Sequence, residues 1–270
     1  MIKRNFILTG SSGYIGSNFV NKHPNTYCLK RSSDNRIIIS KDNSIVKSIS
    51  GPSTLIHLAT HFSIDKESDE LINNVNIDYG KKVIKFLENV DIQKIIYTNS
   101  MYRFYKAKKE RESTYTKTKN IFSKYLMSTC KKNNLLYEEI YLDNTYGGLD
   151  KRNKIIPIIM KSIHLENSNP IKNPDNKINL MYVDNIIERL AKSASNNKDK
   201  SSLFIDTKSV SLVSIYDFLL NYKKNKIIEE DILKFYGNDY DNIPFEIDYE
   251  NINIKDISNG LVETYLDYEN

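Results

Sequence analysis

Glycines at positions 10, 13 and 16, in the run Thr9-Gly10-Ser11-Ser12-Gly13-Tyr14-Ile15-Gly16, constrain the fold of this chain more than any other feature. The apolar triplet Phe6-Ile7-Leu8 precedes them, and residues 14–21 read as a helix. Strand, glycine turn and helix in that order open a βαβ unit whose turn receives a diphosphate. Gly10 permits the tight turn, Gly13 lets the backbone approach a pyrophosphate, and Gly16 lets the helix lie close to the strand. The N-terminus of the helix, with its N–H groups and partial positive charge, then faces the phosphates. Thr9, Gly10, Ser12, Gly13, Tyr14, Ile15 and Gly16 are accordingly the candidate contacts to a dinucleotide.

Downstream, short strands are expected at 27–29, 36–39 and 54–58. A helix follows over 76–89, with Ile77, Val83, Ile84 and Leu87 near one face, then a strand over 94–98. Residues 115–130 form a further helix, with Ile121, Phe122, Tyr125 and Leu126 at three- and four-residue steps, and 135–142 the next strand. This alternation predicts an α/β fold: a Rossmann-type doubly wound parallel sheet, covered on both faces and joined by right-handed crossovers. From Asp143 the pattern loosens around Gly147, Gly148, Pro157, Pro170 and Pro174, as expected of a small C-terminal substrate-binding lobe. Residues 1–145 would form the cofactor-binding core, with later segments returning to it, and 146–270 mostly the lobe. The polar stretch 195–201 reads as a solvated loop.

About twenty residues past the glycines, an NAD site places an acid against the ribose hydroxyls. Here the second strand ends in Lys30-Arg31-Ser32-Ser33. A guanidinium at Arg31 pairs well with a 2′-phosphate, which favours NADP(H) while leaving NAD(H) open. Asp42, after the third strand, is placed to accept a hydrogen bond from the adenine amine.

The balance of 39 Lys+Arg against 34 Asp+Glu leaves +5, scattered and mostly lysine, without the continuous basic stripe of a nucleic-acid surface. Such an excess suits phosphate-bearing ligands. Cys28 and Cys130 belong to no metal-binding or redox spacing and read as buried reduced thiols. No metal site is expected. Met1-Ile2-Lys3-Arg4-Asn5 leads into the first strand without an apolar leader, and no stretch approaches the ~18 consecutive apolar residues of a membrane helix, so a cytoplasmic protein with no membrane partner is expected.

Read in order, the glycine run, Leu55-Ile56-His57-Leu58-Ala59-Thr60, Asn76, Tyr115-x-x-x-Lys119, Asn144-Thr145-Tyr146-Gly147 and Met181-Tyr182-Val183-Asp184-Asn185 resemble the extended short-chain dehydrogenase/reductase family. The resemblance is to its nucleotide-sugar epimerase, dehydratase and reductase branch. It implies that Leu58 and Ala59 join the cofactor contacts. Tyr105/Lys109 and Tyr222/Lys226 share the Tyr-x-x-x-Lys spacing, but only Tyr115/Lys119 opens an amphipathic helix between two strands of the expected core. The spacing puts both on one helix face, where the ammonium is expected to lower the phenol toward working pH and make Tyr115 a general acid or base. The family's third catalytic member is a Ser or Thr closing the preceding strand; Ser100 is the first choice and Thr98 the alternate. His57, flanked by Ile56 and Leu58, reads as a packed core histidine.

Dehydratases of this family carry Asp-Glu after the catalytic Thr, whereas Asn99-Ser100 or Met101-Tyr102 stand here. Epimerases of the family usually show the ribose-binding acid that is missing. The resemblance therefore implies NADPH-dependent reduction of a nucleoside-diphosphate 4-keto-6-deoxyhexose, CDP- or dTDP-linked, for bacterial surface polysaccharides. A nucleotide-sugar epimerase, or a non-catalytic NADP(H)-binding sensor, are the alternatives. By family position His61, Phe62, Ser63, Asn144, Arg152, Lys154 and Tyr182 line the substrate side. A two-helix dimer face is common in the family, so a homodimer is compatible with the chain.

Overall fold

The computed structural model describes residues 4–63, 68–148, 150–197, 200–204, 208–237, 240, 248–250 and 254–269. Met1, Ile2 and Lys3, named above, lie outside them, as do residues 198–199 of the polar stretch. The elements run β1 (Asn5–Thr9), α1 (Tyr14–Lys22), β2 (Tyr27–Arg31), β3 (Ile37–Lys41), β4 (Ser44–Val46), β5 (Ser53–His57), α2 (Asp69–Asn73), a π-helical turn (Asn74–Tyr79), α3 (Gly80–Phe86), β6 (Ile92–Ser100), a 3₁₀ turn (Met101–Phe104), α4 (Lys108–Arg111), α5 (Thr114–Lys132) and β7 (Leu136–Leu142). They continue as β8 (Asn144–Tyr146), α6 (Ile155–His164), β9 (Lys177–Ile178), β10 (Leu180–Tyr182), α7 (Val183–Ser195), β11 (Lys200–Phe204), β12 (Lys208–Ser211), α8 (Leu212–Asn225), a 3₁₀ turn (Glu230–Ile232), β13 (Phe235–Gly237), β14 (Asp248–Glu250) and α9 (Ile254–Glu269).

Two compact units emerge. The first comprises 1–141, 186–203 and 241–248, and the second 142–185, 204–240 and 249–270. In the first, the strands follow the order β11-β7-β6-β5-β1-β2-β3-β4. Pairing is parallel between β1 and β2, β1 and β5, β5 and β6, and β7 and β11. Ile7, Leu29, Leu55, Ile95 and Tyr97 from these strands pack with Val83, Phe122 and Leu126 from the helices, all buried. The result is the expected Rossmann-type α/β core, with the carboxyl ends of the parallel strands gathered at one edge.

Three details differ from the sequence reading. First, β3 and β4 are antiparallel, with Cys28 opposite Ser40, Arg31 opposite Ile37 and Lys41 opposite Ser44. Residues 32–36 are too few for the dozen or more that a parallel crossover needs, so the chain turns straight back. Second, the helix expected over 76–89 begins at Asp69, where the Ser68 hydroxyl accepts from the Leu71 amide at 3.3 Å, and ends at Phe86. It continues through the π-helical turn, which carries the buried Asn76. Third, the polar stretch over 195–201 runs into β11, whose Lys200 lies opposite Glu138. Polar strands of this kind carry no hydrophobic period, and pairing with a neighbour decides them.

In the second unit β8 and β10 pair in parallel, and β12 pairs antiparallel with β9 and β13. Its separate core is built from Ile156, Ile159 and Met160 of α6, Ile215, Phe218 and Leu219 of α8, and Leu261 and Tyr265 of α9. Among the described residues no helix is long and apolar enough to cross a membrane.

Candidate active site

The glycine turn leaves the carboxyl end of β1. Gly10 has φ +73°, and a Cβ there would lie 2.8 Å from the backbone nitrogen of Ala59. A Cβ on Gly16 would sit 2.1 Å from the carbonyl oxygen of Gly10. These close approaches bring the turn against the segment after β5 and the first turn of α1 against the turn itself. No side chain caps α1 at Gly13, and Ser12 and Gly13 are exposed. This cradle of backbone, open on its outer side at the positive end of a helix, fits a diphosphate. Gly16→Ala is expected to cost about 1–3 kcal/mol of stability through forced displacement of the turn, measurable by urea unfolding. An unchanged midpoint would contradict the close contact.

Thr9, placed by sequence among the dinucleotide contacts, is fully buried. Its hydroxyl accepts from the amides of Leu58 at 3.2 Å and Ala59 at 3.1 Å and meets His57 Nδ1 at 3.1 Å. It thereby locks Leu58 and Ala59 to the turn. His57 packs beside Phe122 and Tyr97, and burial brings its pKa down to about 3. Its environment is that of a neutral core histidine.

Arg31 is exposed at the carboxyl end of β2, on the edge where β1 ends, and its Nε donates to Asn35 Oδ1. Asp42 is not brought to that edge. Because β3 runs antiparallel, Asp42 falls past its end at the opposite edge, where it and Asn43 form the positive-φ turn into β4. The neighbouring Lys41 ammonium lies 4.6 Å over the ring of Tyr27, the first residue of β2. Asp42 is therefore withdrawn from the adenine role.

The second cluster forms where β6, α5 and the segment after β5 meet. The Ser113 hydroxyl caps α5, accepting from the Thr116 amide at 3.2 Å, which sets Tyr115 in the first turn. The side chains of Ser100 and Thr60 act on the Tyr115 phenol, each favouring its ionised form. Its ring lies edge-on to Phe62 at 4.9 Å and to Tyr102 at 6.4 Å. Thr98 does not reach the phenol; its hydroxyl turns to the His57 carbonyl at 3.4 Å. Asn76 fixes the 60–61 segment: its Oδ1 accepts from the Thr60 hydroxyl at 3.1 Å and the His61 amide at 2.7 Å. Its Nδ2 donates to the His61 carbonyl at 3.2 Å and to Thr118 Oγ1 at 3.0 Å.

The electrostatics reverse one expectation. Desolvation pushes the Tyr115 phenol up to about 12, and Ser100 and Thr60 only partly oppose this. Lys119 does not pull it down. Its ammonium donates to the Thr98 carbonyl at 2.5 Å and lies 4.4 Å over the Tyr97 ring. Burial lowers Lys119 itself to about 7 against the opposing charge of Glu139. Tyr115 is thus held protonated at neutral pH, as an acid rather than a base.

Ser63 belongs with His61 and Phe62 to the first unit, and the other four substrate-side candidates to the second. Arg152 donates from Nε to Asp150 Oδ1 at 2.8 Å, and from Nη2 to Asp150 Oδ2 at 2.7 Å and the Thr145 carbonyl at 2.8 Å. Lys154 is the N-cap of α6, and its ammonium is depressed by burial and by Arg152. Asn144 Nδ2 donates to Asp143 Oδ1 at 2.6 Å, and the Tyr182 hydroxyl donates to Glu263 Oε2 at 2.6 Å. The Tyr182 ring lies against Gly147 and Gly260. Leu149, between Gly148 and Asp150, lies outside the described residues.

Sequence reading missed Thr60 as a partner of Tyr115, although it ends the segment Leu55 to Thr60. It also missed the buried polar pair Asn99 and Glu139, for which no local pattern exists.

A model of the NAD dependent epimerase/dehydratase family matches residues 6–203. CDP-abequose synthase of Yersinia pseudotuberculosis is 24% identical over 249 residues, covering 82% of this chain and 85% of that protein. Among solved structures, UDP-N-acetylglucosamine 4-epimerase from Methanobrevibacter ruminantium M1, in complex with UDP-N-acetylmuramic acid, superposes with a TM-score of 0.72 at 18% identity, covering 100% of this chain and 99% of that one. The Bordetella bronchiseptica enzyme WbmF, in complex with NAD+ and UDP, gives 0.70 at 13% identity, covering 98% and 92%.

Proposed function

Because the chain belongs to the NAD dependent epimerase/dehydratase family, and is an NAD(P)-dependent enzyme of the extended short-chain dehydrogenase/reductase type, we propose that it reduces the 4-keto group of a nucleoside-diphosphate 4-keto-6-deoxyhexose with NADPH. The observation that carries this reading is the placement of Tyr115 in the first turn of α5, with Ser100 at the end of β6 and Thr60 acting on its phenol, which burial pushes up to about 12. A net reduction ends in an alkoxide that needs a proton, and a protonated phenol supplies one.

The nicotinamide, when bound, supplies the hydride. Ser100 hydrogen-bonds the reacting oxygen, Tyr115 protonates it, and the Lys119 ammonium lends positive charge beside them. Elimination of water would require a further acid and base next to Ser100. Met101, fully buried, and Tyr102, packed on Phe62 and Tyr105, occupy those positions instead. Similarity to CDP-abequose synthase supports a nucleotide-sugar substrate, CDP- or dTDP-linked. By family position His61 of the first unit, and Asn144, Arg152, Lys154 and Tyr182 of the second, are the substrate-side candidates of this reading. The product would feed surface polysaccharide synthesis in a bacterial cytoplasm, and a homodimer is compatible with the reading.

Arg31, exposed at the cofactor edge of β2, supports NADPH over NADH. Arg31→Ala is expected to raise the Kd for NADPH about tenfold or more while changing that for NADH little, consistent with loss of a charge-assisted hydrogen bond to phosphate. Fluorescence titration with both nucleotides measures this. Equal weakening of the two would remove the 2′-phosphate assignment. The reaction itself is tested by the stoichiometry of NADPH consumed to sugar reduced, expected to be one to one.

A further inference from the structure

The hairpin that joins β2 to β3 carries Arg31 and Arg36, and the fold treats their charges differently. Thr9, the last residue of β1, pairs in parallel with Leu29, so Arg31, which closes β2, lies just past the end of β1 on the strand beside the glycine turn. Across the hairpin Arg31 lies opposite Ile37. The connection is closed by the Ser32 amide, which donates to the Arg36 carbonyl at 2.9 Å, and by the Asn35 amide, which donates to the Ser32 carbonyl at 3.0 Å. Asn35 stands in the left-handed region at φ +70°. The Ser32 hydroxyl accepts from the Arg36 amide at 3.1 Å.

In this frame Arg36 has a counter-ion. Its Nε donates to Asp34 Oδ2 at 2.5 Å, and Asp34 Oδ1 accepts from the Ser32 hydroxyl at 2.5 Å. Arg31 is held by a neutral group instead. Its Nε donates to Asn35 Oδ1, and among the described residues no carboxylate pairs with it. Asn35 thus occupies the Nε donor and leaves both Nη groups to form parallel hydrogen bonds with an oxyanion. A carboxylate at this position would hold the guanidinium equally well but cancel its charge. Glycine would suit the turn and hold nothing. Asparagine adopts the left-handed conformation more readily than most residues and supplies a neutral acceptor as well.

We propose that Asn35 is a positioning residue for cofactor choice, holding the Arg31 guanidinium in place and unneutralised for the 2′-phosphate of NADP(H). This role rests on the reading of Arg31 as the 2′-phosphate partner. Ordering a long side chain before the ligand arrives removes part of the entropic cost of binding, so loss of Asn35 should fall on the nucleotide that carries the phosphate.

The test is fluorescence titration of the full chain with NADPH and NADH in the wild type, Asn35→Gly, Arg31→Ala and the double variant. Asn35→Gly keeps the left-handed turn and removes the acceptor. It is expected to raise the Kd for NADPH about three- to tenfold and to leave that for NADH within about twofold. Without Arg31 the same change should have no further effect on NADPH. Asn35→Asp, which keeps the acceptor and adds a charge facing the phosphate, should also weaken NADPH and spare NADH. Equal weakening of both nucleotides by Asn35→Gly, or a loss of NADPH affinity as large without Arg31 as with it, would mean that Asn35 serves only the hairpin and would overturn the proposal. Arg31→Ala selective for NADPH beside a silent Asn35→Gly would overturn the proposal alone, whereas Arg31→Ala weakening both nucleotides equally would overturn the 2′-phosphate reading with it. The contact is also read without nucleotide, by ¹⁵N NMR of the Arg31 Nε–H group, assigned through its loss in Arg31→Ala. Its exchange with water is expected to be faster in Asn35→Gly, and equal exchange in the two proteins would again overturn the proposal.

Discussion

Tyr115→Phe is expected to lower turnover by about 10² to 10⁴-fold, the usual contribution of a positioned general acid, while leaving the melting temperature and nucleotide affinity near those of the wild type. The substitution keeps the ring and its edge contacts with Phe62 and Tyr102, and removes only the hydroxyl. Steady-state kcat/KM beside a thermal melt separates the two effects. A variant that turned over normally would mean that the proton comes from another group. The phenol's pKa of about 12 also sets a direction in pH. The acid form persists through neutrality, so loss of activity between pH 7 and 9 should follow Lys119, which is lowered to about 7, rather than Tyr115.

The other large effect is on stability, at the amino end of β6. Lys94 is fully buried and donates to Glu138 Oε2 at 2.6 Å, to the Ser193 carbonyl at 2.9 Å and to Asn196 Oδ1 at 2.9 Å. Glu138 also accepts from the Ser193 hydroxyl at 2.8 Å and lies 3.5 Å from Arg189. The network fastens the part of α7 that belongs to the first unit onto the sheet. Lys94→Met leaves Glu138 buried without its main counter-charge and is expected to cost about 3–5 kcal/mol, read by urea unfolding. Lys94→Met combined with Glu138→Met should recover part of that loss, because the expense lies in the stranded charge rather than in the missing pair. A single variant as stable as the wild type would contradict the network.

Residues that act through a local pattern were legible in the sequence. The glycine turn, its flanking strand and helix, and Tyr115 with Lys119 on α5 are each fixed by neighbours a few positions away. Contacts between distant segments were not. Glu138 and Glu139 sit side by side in β7, where a sheet exposed on one face would leave one of them in water. Consecutive strand residues point to opposite faces, and here both faces are covered, so both acids are buried. Lys94 and Arg189 answer one and Asn99 the other, from positions no local window contains. Thr60 reaches Tyr115 in the same way. Asp42 is a different case, since the shortness of the 32–36 connection already implied an antiparallel β3 and hence the far edge of the sheet. The fall of Tyr115 expected from Lys119 treated the lysine as a free charge and left out desolvation, the larger effect at this position.

Net hydride transfer to a sugar ketone, with Tyr115 as the proton donor, can be followed with an isotope. The experiment uses NADPH carrying deuterium at the transferable C4 position together with CDP- or dTDP-4-keto-6-deoxyglucose, and follows the label by mass spectrometry and NMR. One deuterium is expected at C4 of the reduced sugar for each NADPH oxidised, with both signals lost in Tyr115→Phe. Sugar converted without label and without net loss of NADPH would contradict it and assign the chain to epimerisation.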